Sequence, residues 1–159
     1  MRTVLHRLRA LDEAWNARRW EDYAALLDDE LEIWVGGETL AHDKAAHLER
    51  ARSFCAAFPD SRRHVEAYLE QFASLDGLRS ASVVRVTGSA RGALKLPGAL
   101  PVVSTSHSFD LCLGLICRWR DGRVLAWREF FDLDLLVRQL GGGPAIPIPQ
   151  GGLHDDRTQ

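Results

Sequence analysis

Residues 109–132, FDLCLGLICRWRDGRVLAWREFFD, contain two largely apolar stretches on either side of the pair Asp121-Gly122. In the first stretch every second residue from Phe109 to Trp119 is apolar, which is the period of a strand with one buried face. An Asp-Gly pair between two such stretches is a signal for a tight turn. The segment therefore predicts an antiparallel hairpin.

The same alternation extends upstream, through most of the chain after Arg62. A second Asp-Gly pair, Asp76-Gly77, indicates another tight turn. Together with the first segment, this gives candidate strands at 63–74, 78–88, 102–119 and 123–132. Because Asp-Gly turns join antiparallel neighbours, the second half of the chain is predicted to form an antiparallel meander.

The first half of the chain is predicted to be mainly helical. In its first segment, apolar residues recur every three or four positions, at Val4, Leu8, Leu11 and Trp15. The pattern resumes at Trp20, and a third helix is predicted between Asp43, as its N-cap, and Pro59. Residues 30–36 alternate as a short strand. Helices followed by an antiparallel sheet predict an α+β fold, with the helices packed on one face of a curled sheet.

The composition is that of an ordinary globular protein. The chain has 159 residues, a common size for one domain, and its 20 basic and 22 acidic side chains leave a formal charge of −2. The arginines are scattered rather than gathered into a stripe, which argues against a nucleic-acid partner. No apolar stretch approaches the roughly 20 residues that a membrane helix needs, and no signal-peptide pattern is present, so we expect a cytoplasmic protein.

Cysteine spacing and the C-terminal composition set two further expectations. The cysteines form no CxxC pair and no ligand spacing with the histidines, so neither a metal site nor a disulfide framework is predicted. Glycines at 141–143 end the last amphipathic stretch. We therefore predict a single domain over residues 1–141 and a Gly/Pro-rich tail over 142–159 that is mobile or lies on a neighbouring subunit.

His107 is a candidate catalytic residue because of its parity in the long strand. Counting back by two from the apolar face that begins at Phe109 places its imidazole on that same face. The alternative is a hydrogen-bonded histidine at the edge of the core or in a subunit contact. Asp110 has the opposite parity and would join His107 only if a β-bulge intervenes.

Asp132, at the end of the last strand, is the second candidate. Both parities of this strand mix apolar and charged residues, so parity alone does not identify the inward face. A carboxylate beside large aromatic residues is partly desolvated, which raises its pKa toward the range useful for acid/base catalysis, although Arg128 would oppose that rise. The alternative is that Asp132 caps a helix that starts at Leu133 and pairs with an arginine.

Further side chains on the predicted strands could line a pocket. These candidates are Trp34, Tyr68, Arg85, Asp110, Arg128 and Phe130. Residues of these types lie more often on solvated faces or in dimer contacts, and that alternative remains open.

Three motifs give the chain a resemblance to a known family. The stretches FCAAFPD at 54–60, DGRV at 121–124 and RQLG at 138–141 resemble the SnoaL-like polyketide cyclases of the nuclear-transport-factor-2-like superfamily. The resemblance implies a cone-shaped fold around one pocket, a homodimer or higher oligomer, and cofactor-free acid/base chemistry on an apolar or polyketide-like small molecule. It also implies that Asp132 is the general acid/base of an intramolecular aldol closure, with His107 assisting.

The last strand adds a second resemblance. Residues 127–132 read WREFFD, similar to the WRDYFD strand of limonene-epoxide-hydrolase-like proteins, which activate water with an Asp-Arg-Asp arrangement. Asp132 would match the last carboxylate of that strand, and Asp110 with Arg85 could supply the others. The hypotheses are therefore a cyclase or isomerase, an epoxide hydrolase or epoxide-opening cyclase, and a non-catalytic binding or assembly module.

Overall fold

The computed structural model describes residues 2–35, 38–39, 43–91 and 106–142. It has the predicted α+β architecture. The elements are α1 (Arg2–Asn16), α2 (Trp20–Ala25), β1 (Leu27–Val35), β2 (Glu38–Thr39), α3 (Lys44–Ala57), β3 (Arg62–Arg63), β4 (Glu70–Ala73), β5 (Arg79–Ser89), β6 (Ser108–Arg120), β7 (Arg123–Phe130) and α4 (Leu133–Gln139).

One seven-stranded sheet has the order β2-β1-β7-β6-β5-β3, with β4 also paired to β5. Both predicted hairpins are present, because β4 pairs with β5 and β6 with β7 in antiparallel register. The sheet as a whole is mixed, since β1 pairs with β7 in parallel. These two strands are far apart in the chain, so no tight turn dictates their relative direction.

Two predicted strand boundaries also differ from the structure. The strand expected over 63–74 is two short strands, because the chain turns between them, where Ala67 N donates to His64 O. The last strand ends at Phe130 rather than at residue 132, because a helix begins directly afterwards. The expected first part of the 102–119 strand, and all of the 142–159 tail except Gly142, lie outside the described residues.

The sheet has an inner face covered by helices and an outer face on the opposite side. On β6 the odd-numbered residues from Phe109 to Trp119 are all buried, as the alternation predicted, while most of the even-numbered ones are exposed. Helix α1 contacts β3, β4 and β5, and its apolar stripe is buried: Val4, Leu8, Leu11 and Trp15. Fully burying one such leucine stabilises the fold by about 2 kcal/mol.

A bulge in β7 decides which of its side chains face inward. Arg118 pairs with Ala126 and Trp119 with Val124, so Leu125 is an extra residue and the parity of β7 changes there. Beyond the bulge, Cys117 lies opposite Trp127 on the inner face. Two residues further, Glu129 therefore also faces inward.

Helix α4 lies over β6 and buries Leu136 against the apolar cluster of that strand. Just after the helix, Gly141 has φ +79° and Gly142 N donates to Val137 O. Among the described residues, no helix is long and apolar enough to span a membrane. In the same residues no group of three or more His, Cys, Asp or Glu side chains is arranged to hold a metal ion.

Candidate functional site

Five of the eight residues proposed from the sequence lie on the outer face of the sheet. These are Trp34, Arg85, Asp110, Arg128 and Phe130. The guanidinium of Arg128 stacks 4.9 Å from the ring of Trp34, and Phe130 is 45% exposed. Their outward position follows from the parity of β1 and β5 and from the bulge in β7.

Arg85 and Asp110 form an ion pair on the outer face. Arg85 Nε and Nη2 donate to the two carboxylate oxygens of Asp110 at 2.8 and 2.5 Å, and this contact lowers the pKa of Asp110. The pair lines an open groove of about 410 Å³ together with Gln139, whose side chain bonds the backbone of Asp110. No bulge brings Asp110 to the inner face, so the condition set for its meeting His107 is not fulfilled.

Asp132 and His107 lie at opposite ends of α4. Asp132 is exposed and is the N-cap of the helix, accepting from Leu135 N at 2.8 Å. His107 is also exposed, and its ring atoms lie 3.3–3.6 Å from the position of a Cβ on Gly141, beyond the other helix end. Asp132 and Gly141 are nine residues apart, and with a helical rise of 1.5 Å per residue the two ends of α4 are separated by about 13 Å. Asp132 is therefore exposed to solvent rather than enclosed by the aromatic residues that precede it.

Tyr68 is the one predicted pocket residue that joins a set of buried polar side chains. Its hydroxyl donates to Asp12 Oδ2 at 2.7 Å, and Arg63 Nη1 donates to Asp12 Oδ1 at 2.5 Å. Asp12 is 1% exposed and Arg63 5%. The guanidinium lies 4.6 Å from the ring of Trp15, so the pair is closed off by an aromatic side chain.

The directions of the pKa shifts show which of these buried groups are charged. Burial opposes the charge on Arg63, but Asp12, Tyr23 and Glu129 outweigh it and raise its pKa. Burial, followed by the nearby Asp12 carboxylate, raises the pKa of Tyr68. Arg63 is therefore a permanent buried cation, and Tyr68 remains a hydrogen-bond donor at neutral pH.

Glu129 is the inward-facing carboxylate of β7. Its Oε2 accepts from Trp127 Nε1 at 2.9 Å and lies 3.6 Å from Arg50 Nη2, while 14% of its side chain is exposed. The guanidinium of Arg63 lies 5.8 Å from the ring of Trp127. Glu129 is thus held on the Arg63 side of the sheet, partly open to solvent.

A tyrosine-histidine pair completes the set. The hydroxyl of Tyr23 lies 2.9 Å from His47 Nε2, and the His47 ring lies 4.8 Å from that of Trp127. Burial raises the pKa of Tyr23, which keeps its hydroxyl protonated. We refer to six of the polar side chains on the inner side of the sheet as the interior cluster, which consists of Asp12, Tyr23, His47, Arg63, Tyr68 and Glu129.

The interior cluster lies beside a row of four inward-facing residues that crosses the sheet. Strand pairing places Gln71 opposite Ser82, Ser82 opposite Leu115, and Leu115 opposite Glu129. We call this the central row. Within the described part of the chain, three buried side-chain atoms have no hydrogen-bond partner: Arg63 Nε, Gln71 Nε2 and Ser82 Oγ. Each buried polar atom without a partner calls for an explanation.

Most of the interior cluster was not identified from the sequence. Asp12 could have been identified from the sequence. It lies four residues after Leu8 and three before Trp15, so its carboxylate falls within the apolar stripe of α1. Glu129 could not have been identified in this way, because no residue pattern in the sequence reveals the bulge that turns its side chain inward. Arg63 is in a two-residue strand, and its partner is 51 positions away in the chain.

Comparison with known proteins identifies a family. The sequence profile described as SnoaL-like polyketide cyclase matches residues 5–140. No curated protein gives a significant match.

Solved structures of several proteins superpose on the chain. A candidate polyketide cyclase from Xanthomonas campestris pv. campestris has a TM-score of 0.75 at 16% identity, covering 87% of this chain and 97% of that chain. AclR, a candidate hydroxylase from Streptomyces galilaeus, has a TM-score of 0.74 at 20% identity, covering 92% and 90%. IdmH, a candidate polyketide cyclase from Streptomyces antibioticus, has a TM-score of 0.67 at 21% identity, covering 86% and 96%. The fold is accordingly nuclear-transport-factor-2-like.

Proposed function

Because the chain belongs to the SnoaL-like polyketide cyclase family, we propose that it is a cofactor-independent acid/base enzyme that cyclises or isomerises a polyketide-like or other carbonyl-rich small molecule. The observation that carries the proposal is the position of Glu129 on the same side of the sheet as the buried cation Arg63. A carboxylate and a fixed cation on one side of a substrate are what proton abstraction next to a carbonyl requires.

In the proposed reaction, Glu129 removes a proton from the carbon next to a substrate carbonyl. Glu129 accepts a hydrogen bond from Trp127 through Oε2, and in the proposed step its other oxygen, Oε1, takes the proton. The carbonyl oxygen gains negative charge and accepts from Arg63 Nε, the unpartnered donor. In a cyclisation the enolate carbon then forms a bond to the carbon of a second carbonyl, whose oxygen becomes an alkoxide and takes a proton from Glu129 or from solvent. In an isomerisation the enolate instead takes that proton at another position.

Asp12 and Tyr68 act through Arg63. The Asp12 carboxylate holds Nη1 and thereby the direction of the guanidinium plane, and the Tyr68 hydroxyl occupies the other oxygen of Asp12. Donors fixed in advance stabilise a developing oxyanion without reorganising during the reaction. We therefore assign Asp12 and Tyr68 as positioning residues.

Proton abstraction can be tested without knowing the natural substrate. The probe is a naphthyl ketone with an exchangeable α-carbon proton, followed by NMR in D₂O with and without protein. We expect exchange above the buffer rate for the wild type, and a reduction of about 100-fold or more for Glu129→Gln. Wild-type exchange no faster than buffer, or undiminished exchange in Glu129→Gln, would refute the proposal.

A second candidate function is epoxide opening. One observation favours it, namely that the Arg63 charge is stabilised by two carboxylates, Asp12 and Glu129. This is a carboxylate-arginine-carboxylate arrangement, formed by residues other than the Asp110, Arg85 and Asp132 considered from the sequence. Glu129 would take a proton from water as the water oxygen forms a bond to one epoxide carbon and the ring C–O bond at that carbon breaks. The alkoxide released would then take a proton from Glu129 or from solvent, which completes the diol. Incubation of an epoxide in ¹⁸O-labelled water distinguishes epoxide hydrolysis from cyclisation or isomerisation, because only hydrolytic opening places ¹⁸O in a diol.

A further inference from the structure

A threonine, a histidine and a glutamate form a hydrogen-bonded chain on the outer face of the sheet, on the opposite side from the interior cluster. Thr87 Oγ1 lies 2.9 Å from His64 Nε2, and His64 Nδ1 lies 3.2 Å from Glu66 Oε1. Both distances fall within the range of about 2.6–3.2 Å expected between a nucleophile, its base and the group that orients the base. The order hydroxyl, imidazole, carboxylate is that of a hydrolytic triad.

Strand pairing places the three groups at one edge of the sheet. Thr87 has the same parity as Arg85 on β5 and is paired with Asp110, so its side chain leaves the outer face. Arg62 of β3, the last strand in the sheet order, is paired with Thr87. Just beyond it, the backbone N–H of His64 donates to Arg85 O at 2.9 Å. His64 therefore lies beside β5, where its ring reaches Thr87.

The proton positions in this chain follow from the chemistry of its members. The backbone N–H of Glu66, followed by His64 and Arg62, lowers the pKa of the Glu66 carboxyl, which is therefore ionised at neutral pH. An ionised carboxylate only accepts, so its hydrogen bond with His64 requires the proton of the neutral imidazole to lie on Nδ1. Nε2 then has a lone pair that accepts from the Thr87 hydroxyl, which is how a base activates a hydroxyl nucleophile.

Thr87 also borders space that a small molecule can enter. Together with Arg85 and Asp110 it lines the open groove of about 410 Å³. That volume lies toward the lower end of the range of about 300–1,000 Å³ for small-molecule sites. Other polar residues lining the groove include Asp60, Ser89 and Gln139. The groove therefore suits a small ligand that carries polar groups.

We propose that Thr87, His64 and Glu66 form a second site, which hydrolyses short-chain carboxylic esters through an acyl-threonine intermediate. Thr87 Oγ1 forms a bond to the ester carbonyl carbon while its proton passes to His64 Nε2. The bond from that carbon to the alcohol oxygen then breaks, and the departing alkoxide takes the proton from His64. Thr87 and His64 are the catalytic residues, and Glu66 is a positioning residue.

The second half of the reaction restores the free threonine. A water oxygen forms a bond to the acyl carbon and gives a proton to His64 Nε2. The bond between the acyl carbon and Thr87 Oγ1 then breaks, Oγ1 regains the proton from His64, and the carboxylic acid leaves. In both halves the carbonyl oxygen becomes an oxyanion, toward which Arg85 presents the positive charge of the groove.

The test follows release of p-nitrophenol from p-nitrophenyl acetate. Cys112 is an exposed thiol that would itself react with this ester, so the reference chain carries Cys112→Ser. We expect release faster than in buffer, and a rate reduced about 100-fold or more by Thr87→Val and by His64→Gln. Thr87→Ser keeps a hydroxyl and should retain release. Release no faster than in buffer would overturn the proposal, as would undiminished release in Thr87→Val.

Ser53→Ala is the matched control. Ser53 is exposed on α3, and its hydroxyl donates to the carboxylate of Glu49 at 3.4 Å rather than to an imidazole. We expect the rate of release to be unchanged in this variant. An equal loss of release in Ser53→Ala and Thr87→Val would contradict a reaction at Thr87.

Glu66→Gln tests the positioning role. Glu66 is exposed and acts on the reaction only by orienting His64. We therefore expect kcat to fall about tenfold or more, with KM and Tm unchanged, whereas a merely structural role would lower Tm and leave kcat. An unchanged kcat would remove Glu66 from the site.

A fluorophosphonate gives a second measurement that does not depend on the folding of a variant. An activated hydroxyl displaces its fluoride, and the phosphonyl adduct that forms is stable to digestion. Mass spectrometry of the digested reference chain should find this adduct on the peptide that contains Thr87. A chain without an adduct at Thr87 would overturn the nucleophile assignment.

The two sites can be tested separately because they lie on opposite sides of the sheet. Thr87→Val should retain α-proton exchange, and Glu129→Gln should retain ester hydrolysis. Loss of ester hydrolysis in Glu129→Gln with normal hydrolysis in Thr87→Val would place this activity in the interior cluster and overturn the second site. Failure of α-proton exchange in the wild type leaves the ester test unaffected.

Discussion

Arg63 donates to Asp12 across 2.5 Å, and both side chains are almost wholly buried between α1 and the sheet. The pair joins residues 51 positions apart in the chain, so it forms only when the helix has packed on the sheet. A buried ion pair of this kind contributes little net stability over an apolar pair, but loss of one member leaves an uncompensated buried charge. Its retention is consistent with a role in positioning Arg63.

The first prediction concerns the loss of one member of this pair. We expect Asp12→Asn to lower the free energy of unfolding by about 3–5 kcal/mol, because it leaves Arg63 buried without its counter-charge. Chemical denaturation measures this change. The control is Glu13→Gln on the same helix, whose side chain is 46% exposed in its pair with Arg9, and we expect a change within about 0.5 kcal/mol. A loss below about 1 kcal/mol in Asp12→Asn would contradict a desolvated pair.

The second prediction concerns Asp132, to which the family resemblance assigns the acid/base role. Asn is as good an N-cap as Asp, so Asp132→Asn should leave stability unchanged, whereas Asp132→Ala should lower it by about 1 kcal/mol in thermal unfolding. If Glu129 is the base, Asp132→Asn also retains α-proton exchange. Loss of exchange in Asp132→Asn together with normal exchange in Glu129→Gln would instead assign the base to Asp132, acting at the N-terminus of α4.

The sequence correctly predicted the helices and strands that bury one face and expose the other. A strand that buries one face has a period of two, and this is why the face from Phe109 to Trp119 could be read directly. The α1 stripe and the Asp43 cap of α3, which accepts from Ala46 N, were predictable for similarly local reasons. In each case the signal lies within the element itself.

The interior cluster depends on features that are not local. The extra residue Leu125 reverses the parity of β7, and this puts Glu129 inside and Phe130 outside. The pairing of β4 with β5 brings Gln71 to Ser82, although the chain between Arg63 and Glu70 had been predicted as continuous strand. The face on which each candidate side chain lies is therefore set by strand parity and strand pairing, which depend on tertiary structure.

The third prediction concerns self-association, which the family resemblance implies. Large apolar side chains are exposed on the outer face at Phe72, Ile116 and Phe130. Phe72 and Ile116 are both paired to Ala81, and Phe130 is paired to Gly114 two positions from Ile116, so the three form one patch. We propose that a second copy of the chain covers it, and we expect Ile116→Lys and Phe130→Lys to reduce the mass in light scattering to that of the monomer.

Leu75→Lys is the control for this prediction. Leu75 is 95% exposed, but it lies in the turn between β4 and β5, away from the patch. Its replacement should leave the mass unchanged. A wild-type chain that is monomeric at high concentration would contradict the expectation of a homo-oligomer, and the patch would then need another explanation.

The fourth prediction concerns acid stability at the start of β1. Arg120 donates to both oxygens of Asp28, at 3.1 and 2.7 Å, and the backbone N–H of Glu30 also donates to Asp28. These contacts lower the pKa of Asp28, although partial burial opposes the change.

A carboxyl group whose pKa is lower in the folded protein stabilises the fold at pH values above its unfolded pKa of about 3.9. That stability is lost as the pH falls through the lower folded value, where the carboxylate becomes protonated in the native state. The Tm of the wild type should therefore exceed that of Asp28→Asn at pH 6, and the difference should shrink as the pH falls below the unfolded pKa. The Tm difference between the wild type and Arg120→Met should depend on pH in the same way. A Tm difference between the wild type and Asp28→Asn that is constant from pH 6 to pH 2 would contradict the role of the Asp28 carboxylate.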